Sequence, residues 1–215
     1  MKEIRQIVIA PDSFKGTMEA SQVCQIIQGS ARQYFPDAAV RCIPMADGGE
    51  GMVDAYLKLL GGRKVLLSVQ GLQGRPVACY YGILPDGTAV MEMAACAGLP
   101  LLDGALDPMH TTTYGVGEML LNAERNGVRR VLLGIGGSAT VDCGLGMAAA
   151  LGYRFLNKDG AAVEAVTCHM AEIAAIVPPA RKPALDINAA CDVDNPLCGE
   201  TGGIYTFGKQ KGISV

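Results

Sequence analysis

Three glycine-containing loops, each set between an apolar run and a helical pattern, constrain this chain more than any other feature. Pro11-Asp12-Ser13-Phe14-Lys15-Gly16 follows an apolar strand pattern over Ile4–Ala10. Pro44-Met45-Ala46-Asp47-Gly48-Gly49-Glu50-Gly51 follows a second over Ala39–Ile43, and Gly136-Gly137-Ser138-Ala139-Thr140 follows a third over Val128–Ile135. Strand, loop and helix in repeated alternation define an α/β domain with parallel strands. Loops of this kind emerge at the carboxyl ends of the strands, where such sheets bind ligands. Glycine lets backbone N–H groups come close to a phosphate.

The intervening segments carry other signals. The first loop leads into a helix with Thr17 as its N-cap and Ala20, Val23, Cys24, Ile27 and Ala31 on one face. A second helix carries Val53, Leu57 and Leu60 and stops at Gly61-Gly62. Lys64–Gln70, Pro76–Leu84 and Ala89–Ala94 read as strands joined by Gly71–Gly74 and Pro85–Thr88, which is antiparallel hairpin chemistry. Thr113–Asn126 reads as a helix with Val116, Met119, Leu120 and Ala123 inward, and Gly144–Leu151 as a small-residue helix. Asn157-Lys158-Asp159-Gly160 is a hairpin turn, and strands are expected at 186–190 and near 204–207. The fold class is α/β: a Rossmann-like parallel lobe (1–66 and 110–151) interleaved with a second, more antiparallel lobe (67–109 and 152–215). Three parallel strands are few for the first lobe, so one of its edges or faces is expected to be uncovered and to associate with a second copy or another chain.

Half the residues are hydrophobic and the net charge is -3, which excludes disorder and argues against a nucleic-acid partner. The apolar run at the N-terminus is too short for a signal peptide or a membrane span, so a cytoplasmic protein is expected. The eight cysteines lie scattered among apolar residues with no C-x-x-C pair, which reads as reduced thiols.

The loops supply the candidate chemistry. Lys15 stands where a cation could meet a phosphate of ATP. Asp47 and Glu50 flank two glycines, a pairing suited to Mg²⁺ or to removal of a hydroxyl proton; the same residues also serve as turn former and helix-terminal charge. Gly134-Ile135-Gly136-Gly137-Ser138-Ala139 fits a relaxed dinucleotide pattern, the basis of a rival oxidoreductase reading. The acidic residue expected about 20 positions on is replaced by the Asn157–Gly160 turn. Cys191-Asp192-Val193-Asp194-Asn195-Pro196 follows an apolar strand and could hold a metal or a substrate hydroxyl, or cap its own loop.

The chain resembles the bacterial glycerate 2-kinases. The likeness rests on Ala10–Gly16, Ala46–Gly51, Thr111-Thr112-Thr113-Tyr114-Gly115, Gly136–Thr140, Cys191–Leu197 and Gly208-Lys209-Gln210-Lys211-Gly212, in the family's order. The resemblance implies two α/β lobes around a cleft. It also implies Mg²⁺-assisted transfer of the γ-phosphoryl of ATP to the 2-hydroxyl of D-glycerate. On that reading Lys15, Asp47 and Asp192 are catalytic. Asp12, Ser13, Gly48, Gly49, Glu50, Gly136, Gly137, Ser138, Ala139, Thr140 and Asn195 bind substrate or phosphate. Asp47 and Asp192 share the roles of Mg²⁺ ligand and proton acceptor, and the sequence does not separate them. Val141-Asp142-Cys143-Gly144 departs from the family's pattern. Members of the family continue well past the Gln-Lys-Gly string, so the chain is expected to be a shortened member with little activity alone.

Overall fold

A computed structural model describes residues 4–14, 17–103 and 106–214. Lys15, given a catalytic role above, lies outside the described residues. In chain order the elements are β1 (Gln6–Ile9), α1 (Ala20–Tyr34), β2 (Ala39–Cys42), α2 (Met52–Leu60), β3 (Arg63–Gln70), β4 (Pro76–Ile83), β5 (Ala89–Glu92), α3 (Ala94–Ala97), α4 (Tyr114–Arg125), β6 (Arg130–Gly134), α5 (Leu145–Ala150), β7 (Arg154–Leu156), β8 (Ala162–Val163), β9 (Ala175–Val177), β10 (Asp186–Ala190) and α6 (Gly203–Phe207). Short 3₁₀ turns sit at Leu99–Leu101, Thr167–Glu172 and Lys209–Lys211. The α/β class holds, with parallel and antiparallel pairing in one molecule.

The centre is a five-stranded sheet in the order β10-β6-β5-β4-β3. β10, β6 and β5 run parallel, and β4 and β3 add an antiparallel hairpin. Successive strand residues face opposite sides of a sheet, and at the central strands both sides are covered. Ala89, Met91, Val131 and Leu133 face a core completed by Val116, Met119, Leu120 and Ala123 of α4. Val90 and Leu132 face the other way, against Met52 and Val53 of α2. The four α4 residues read as inward from their spacing are all fully buried.

β1 and β2 form a separate two-stranded parallel sheet, with α1 packed on it. β7, β8 and β9 form a third, antiparallel sheet, in which the Asn157–Gly160 turn joins β7 to β8 as expected.

Three local expectations are corrected. The loop–helix alternation groups Val128–Ile135 with Ile4–Ala10 and Ala39–Ile43, but β6 pairs with β5 and β10 instead. Its partners are set by the α4 crossover, which carries the chain from β5 to a parallel neighbour, and periodicity reports a strand's faces rather than its neighbours. The strand expected near 204–207 is the helix α6, closed by Thr206 N–H to Gly202 O (3.0 Å) and Gly208 N–H to Ile204 O (2.8 Å). Glu19, not Thr17, is the N-cap of α1, and its N–H donates to Gln22 Oε1 at 3.0 Å.

Candidate active site

The carboxyl ends of β2, β6 and β10 converge, and backbone contact holds them together. β6 and β10 run parallel with Gly134 opposite Ala190, so the loops leaving them start side by side. Between them sits the loop leaving β2. Gly48 stands at φ +86°, a left-handed conformation that suits glycine, and its carbonyl accepts the Gly136 N–H at 3.1 Å. A Cβ on Gly134 would collide with that same carbonyl, and one on Gly136 would come within 2.9 Å of Gly49 N. A Cβ on Gly48 would meet Ala190 O at 2.8 Å. Glycine at these positions therefore serves first to let three loops touch. Asp47 accepts the Gly49 N–H at 2.9 Å, which fixes its carboxylate inside this junction.

The loop after β6 is less open to a ligand than its glycines suggest. Gly136 N–H is committed to Gly48, and Ala139 N–H donates to Ala97 O at 2.8 Å. Among the described residues, the N–H groups of Gly137, Ser138 and Thr140 donate no hydrogen bond. Lys211, brought from the last 3₁₀ turn, lies against the same loop. Its ammonium donates to Ser138 Oγ (3.0 Å) and to Thr140 O (2.8 Å). Burial holds the Lys211 pKa below the usual lysine range, and the charge of Asp142 opposes that shift. Asp142 is itself buried. Its carboxylate takes the N–H (2.8 Å) and hydroxyl (2.7 Å) of Thr113, and the N–H groups of Gly144 and Gly146 at 3.1 Å each. It thereby ties the start of α4 to the start of α5.

Asp192 lies two residues past β10 and is exposed, on the same sheet edge as the Gly136–Thr140 loop. Asn195 turns inward on its own segment, donating from Nδ2 to Thr201 O (3.0 Å) and Thr206 Oγ1 (3.2 Å). That geometry shapes the approach to α6.

Ser13 and Glu50 lie elsewhere, in a cleft of about 800 Å³ between the start of α1 and α2. Its described lining includes Phe14, Asp54, Lys64, Tyr80 and Glu92 but not Asp47, Asp192 or the Gly136–Thr140 loop. Asp12 is exposed and accepts the Ser13 N–H at 2.6 Å. The loop after β1 is joined to the one after β2 through the Met45 N–H, which donates to Pro11 O at 2.9 Å. The structure thus gathers Asp47, Gly48, Gly49 and Gly136–Thr140 at one point, with Asp192 beside it, and sets Ser13 and Glu50 across the β2 loop.

The match to the glycerate kinase family model runs over residues 7–215. The chain belongs to the glycerate kinase family. It is 44% identical over 214 residues to a glycerate kinase of Halalkalibacterium halodurans, covering 97% of this chain and 56% of that one. It is 42% identical over 216 residues to the glycerate 2-kinase of Escherichia coli K12, with the same shares of the two chains covered. A crystal structure from Salmonella typhimurium LT2, assigned as glycerate kinase 2, superposes with a TM-score of 0.82 at 39% identity, over 98% of this chain and 58% of that one. This glycerate kinase family chain therefore spans little more than half the length of the relatives it matches.

Two ionisable residues of this family member, one half-buried and one buried, are not singled out by the sequence. Lys211 sits in a string that carried the resemblance, but nothing local aims it at a loop some 70 residues earlier. Glu92 closes β5 opposite Gly134, and its Oε1 accepts the Val53 N–H at 2.7 Å at the start of α2. Burial pushes its carboxyl pKa up, opposed by the Val53 and Gly51 N–H groups. Its signal was available: one carboxylate inside the apolar run Ala89–Ala97.

Proposed function

We propose that this chain carries the greater part of an ATP-dependent glycerate 2-kinase, whose products are 2-phosphoglycerate and ADP. One observation bears most of the weight: the Asp47 loop, the Gly136–Thr140 loop and the end of β10 meet at the carboxyl edge of parallel strands, where an α/β sheet binds its ligands. In phosphoryl transfer a protein acts chiefly by positioning and charge neutralisation. The loop after β6 suits a phosphate, with the N–H groups of Gly137, Ser138 and Thr140 and the Ser138 hydroxyl as donors. Among the described residues no group of three or more His, Cys, Asp or Glu is placed to hold a metal ion. Mg²⁺ needs fewer, since it commonly takes one or two carboxylates and completes its shell with phosphate oxygens and water. Asp47 and Asp192 fit that requirement, and bound Mg²⁺ would supply charge neutralisation on the transferring phosphoryl. Whichever of the two carboxylates is not so engaged accepts the proton of the 2-hydroxyl. Lys15 stays assigned as a second cation toward phosphate on residue type and loop position.

The setting we propose is the cytoplasm, where the eight cysteines, all free thiols, stay reduced. Among the described residues no helix is long and apolar enough to cross a membrane. A second reading is a ligand-binding remnant that associates with another chain. It is favoured by β10, an edge strand exposed along most of its length.

A coupled assay of ADP release with D-glycerate against other small hydroxy acids tests the first reading. Isothermal titration with ATP–Mg²⁺ and with D-glycerate runs beside it. D-glycerate-dependent ADP release supports the kinase. Binding without turnover supports the remnant. Neither binding nor turnover overturns both.

A further inference from the structure

We propose that Lys211 and the Gly137–Thr140 loop form one anion site that takes phosphoryl oxygens, with Lys211 as its fixed cation. That the phosphoryl belongs to ATP rests on the kinase reading; that the site takes a phosphate does not.

The argument begins with an unbalanced charge. The Lys211 ammonium is half-buried and held by two neutral oxygens, Ser138 Oγ and Thr140 O. A lysine ammonium has three N–H donors, so one remains. The carboxylate whose charge it feels, Asp142, is taken up by four donors of Thr113, Gly144 and Gly146 and makes no hydrogen bond to Lys211. A cation withdrawn from water without a bonded counter-ion is costly, and the cost falls when an anion joins it. The downward pull of burial on the Lys211 pKa is the same cost seen from the proton's side.

The same loop offers donors to that anion. The N–H groups of Gly137, Ser138 and Thr140 are uncommitted among the described residues. Gly137, at φ +70°, is exposed. An ammonium N–H, a hydroxyl and several backbone N–H groups outnumber the two oxygens of a carboxylate and suit the three terminal oxygens of a phosphoryl group. A lysine that only pinned the last 3₁₀ turn to the loop would have no need of this surrounding set.

Pyrophosphate is the probe, titrated calorimetrically into the 215-residue chain and into Lys211→Met and Lys211→Arg. The wild type is expected to bind it. Lys211→Met should weaken binding by about 10- to 100-fold, the loss of one charge-assisted hydrogen bond, and Lys211→Arg should recover part of it. D-glycerate affinity should be the same in all three. Absence of pyrophosphate binding by the wild type, equal binding by Lys211→Met, or a loss confined to D-glycerate would each overturn the proposal. Should Lys211→Met fail to fold, acetylation of Lys211 in the wild type decides, read by peptide mass spectrometry. Saturating pyrophosphate must slow it at least about tenfold, a factor worth 1.4 kcal/mol, and an unchanged rate refutes the site. A chain that binds pyrophosphate through Lys211 yet releases no ADP with D-glycerate keeps this site and favours the ligand-binding remnant over a chain active by itself.

Discussion

α4 and α1 are both amphipathic helices packed against a sheet, yet they use their apolar residues differently. Val116, Met119, Leu120 and Ala123 of α4 are fully buried against a five-stranded sheet whose central strands are backed by α2 on the other face. On α1 only Val23 and Cys24 are buried; Ile26 is 57% exposed, and Tyr34 78%. Its sheet has two strands, and Val8 on β1 is 61% exposed. A two-stranded sheet bears only a narrow apolar strip, so a helix lying on it finds little to cover. The chain therefore divides into a part that stabilises itself and a part that gains little from its own apolar residues. The candidate site lies along their boundary, because the β2 loop is the piece that reaches from one to the other.

Substitution can break that comparison. Leu120→Ala should cost about 2–5 kcal/mol in a denaturant unfolding experiment, the usual range for a fully buried leucine. Ile26→Ala on α1 should stay within about 0.5 kcal/mol, as surface changes do. Similar losses at the two positions would show that the β1–β2 unit is as well packed as the centre. Asp142→Ala comes next. It strands the Thr113, Gly144 and Gly146 donors in a buried place, at an expected cost of about 1–3 kcal/mol or somewhat more. Indifference to this change in the same experiment would mean that the α4–α5 junction is held by packing alone.

The strand faces, the α4 stripe and the hairpin turns were legible because each is a local pattern: period two, period 3.6, or glycine and Asp/Asn in a short turn. The partners of Val128–Ile135 were not, since a strand's sequence records its two faces and not its neighbours. α6 departs from the expected strand because Ile204, Tyr205, Thr206 and Phe207 are β-formers by type, while the hydrogen bonds that the Gly202 and Ile204 carbonyls accept, which make the segment helical, depend on the surrounding turns. Of the site, the loops and Asp47 could be read as residue types between strand and helix. Lys211 could not, because the ammonium and the loop it touches are joined only by tertiary structure.

The smallest expected effect sharpens the boundary itself. Glu92 carries a raised pKa in the folded chain through burial. A carboxyl of this kind binds its proton more tightly folded than unfolded. Its ionisation therefore lowers stability as pH rises from the unfolded pKa through the folded one, and the loss is complete above both. Glu92→Gln keeps an oxygen toward the Val53 N–H but cannot ionise. Its stability should gain on the wild type as pH rises across that window and run parallel to it above. Parallel curves throughout, followed by thermal unfolding from acid to neutral pH, would mean that Glu92 stays well hydrated where α2 meets β5.

The pairing of β10 with β6 bears on the order in which the molecule assembles. Asp186 lies opposite Arg130, so the ladder closes only after the whole excursion through β7, β8 and β9 has been made. The β3–β4 hairpin needs nothing but its own turn. Contacts distant along the chain carry a larger loop-closure cost and tend to form late. On a ribosome, the hairpins and α4 would emerge and condense well before the segment bearing Asp192 and Lys211 was available. A nascent chain halted before β10 would have the core and the Asp47 and Gly136–Thr140 loops, without the segment that sets Asp192 and Lys211 beside them.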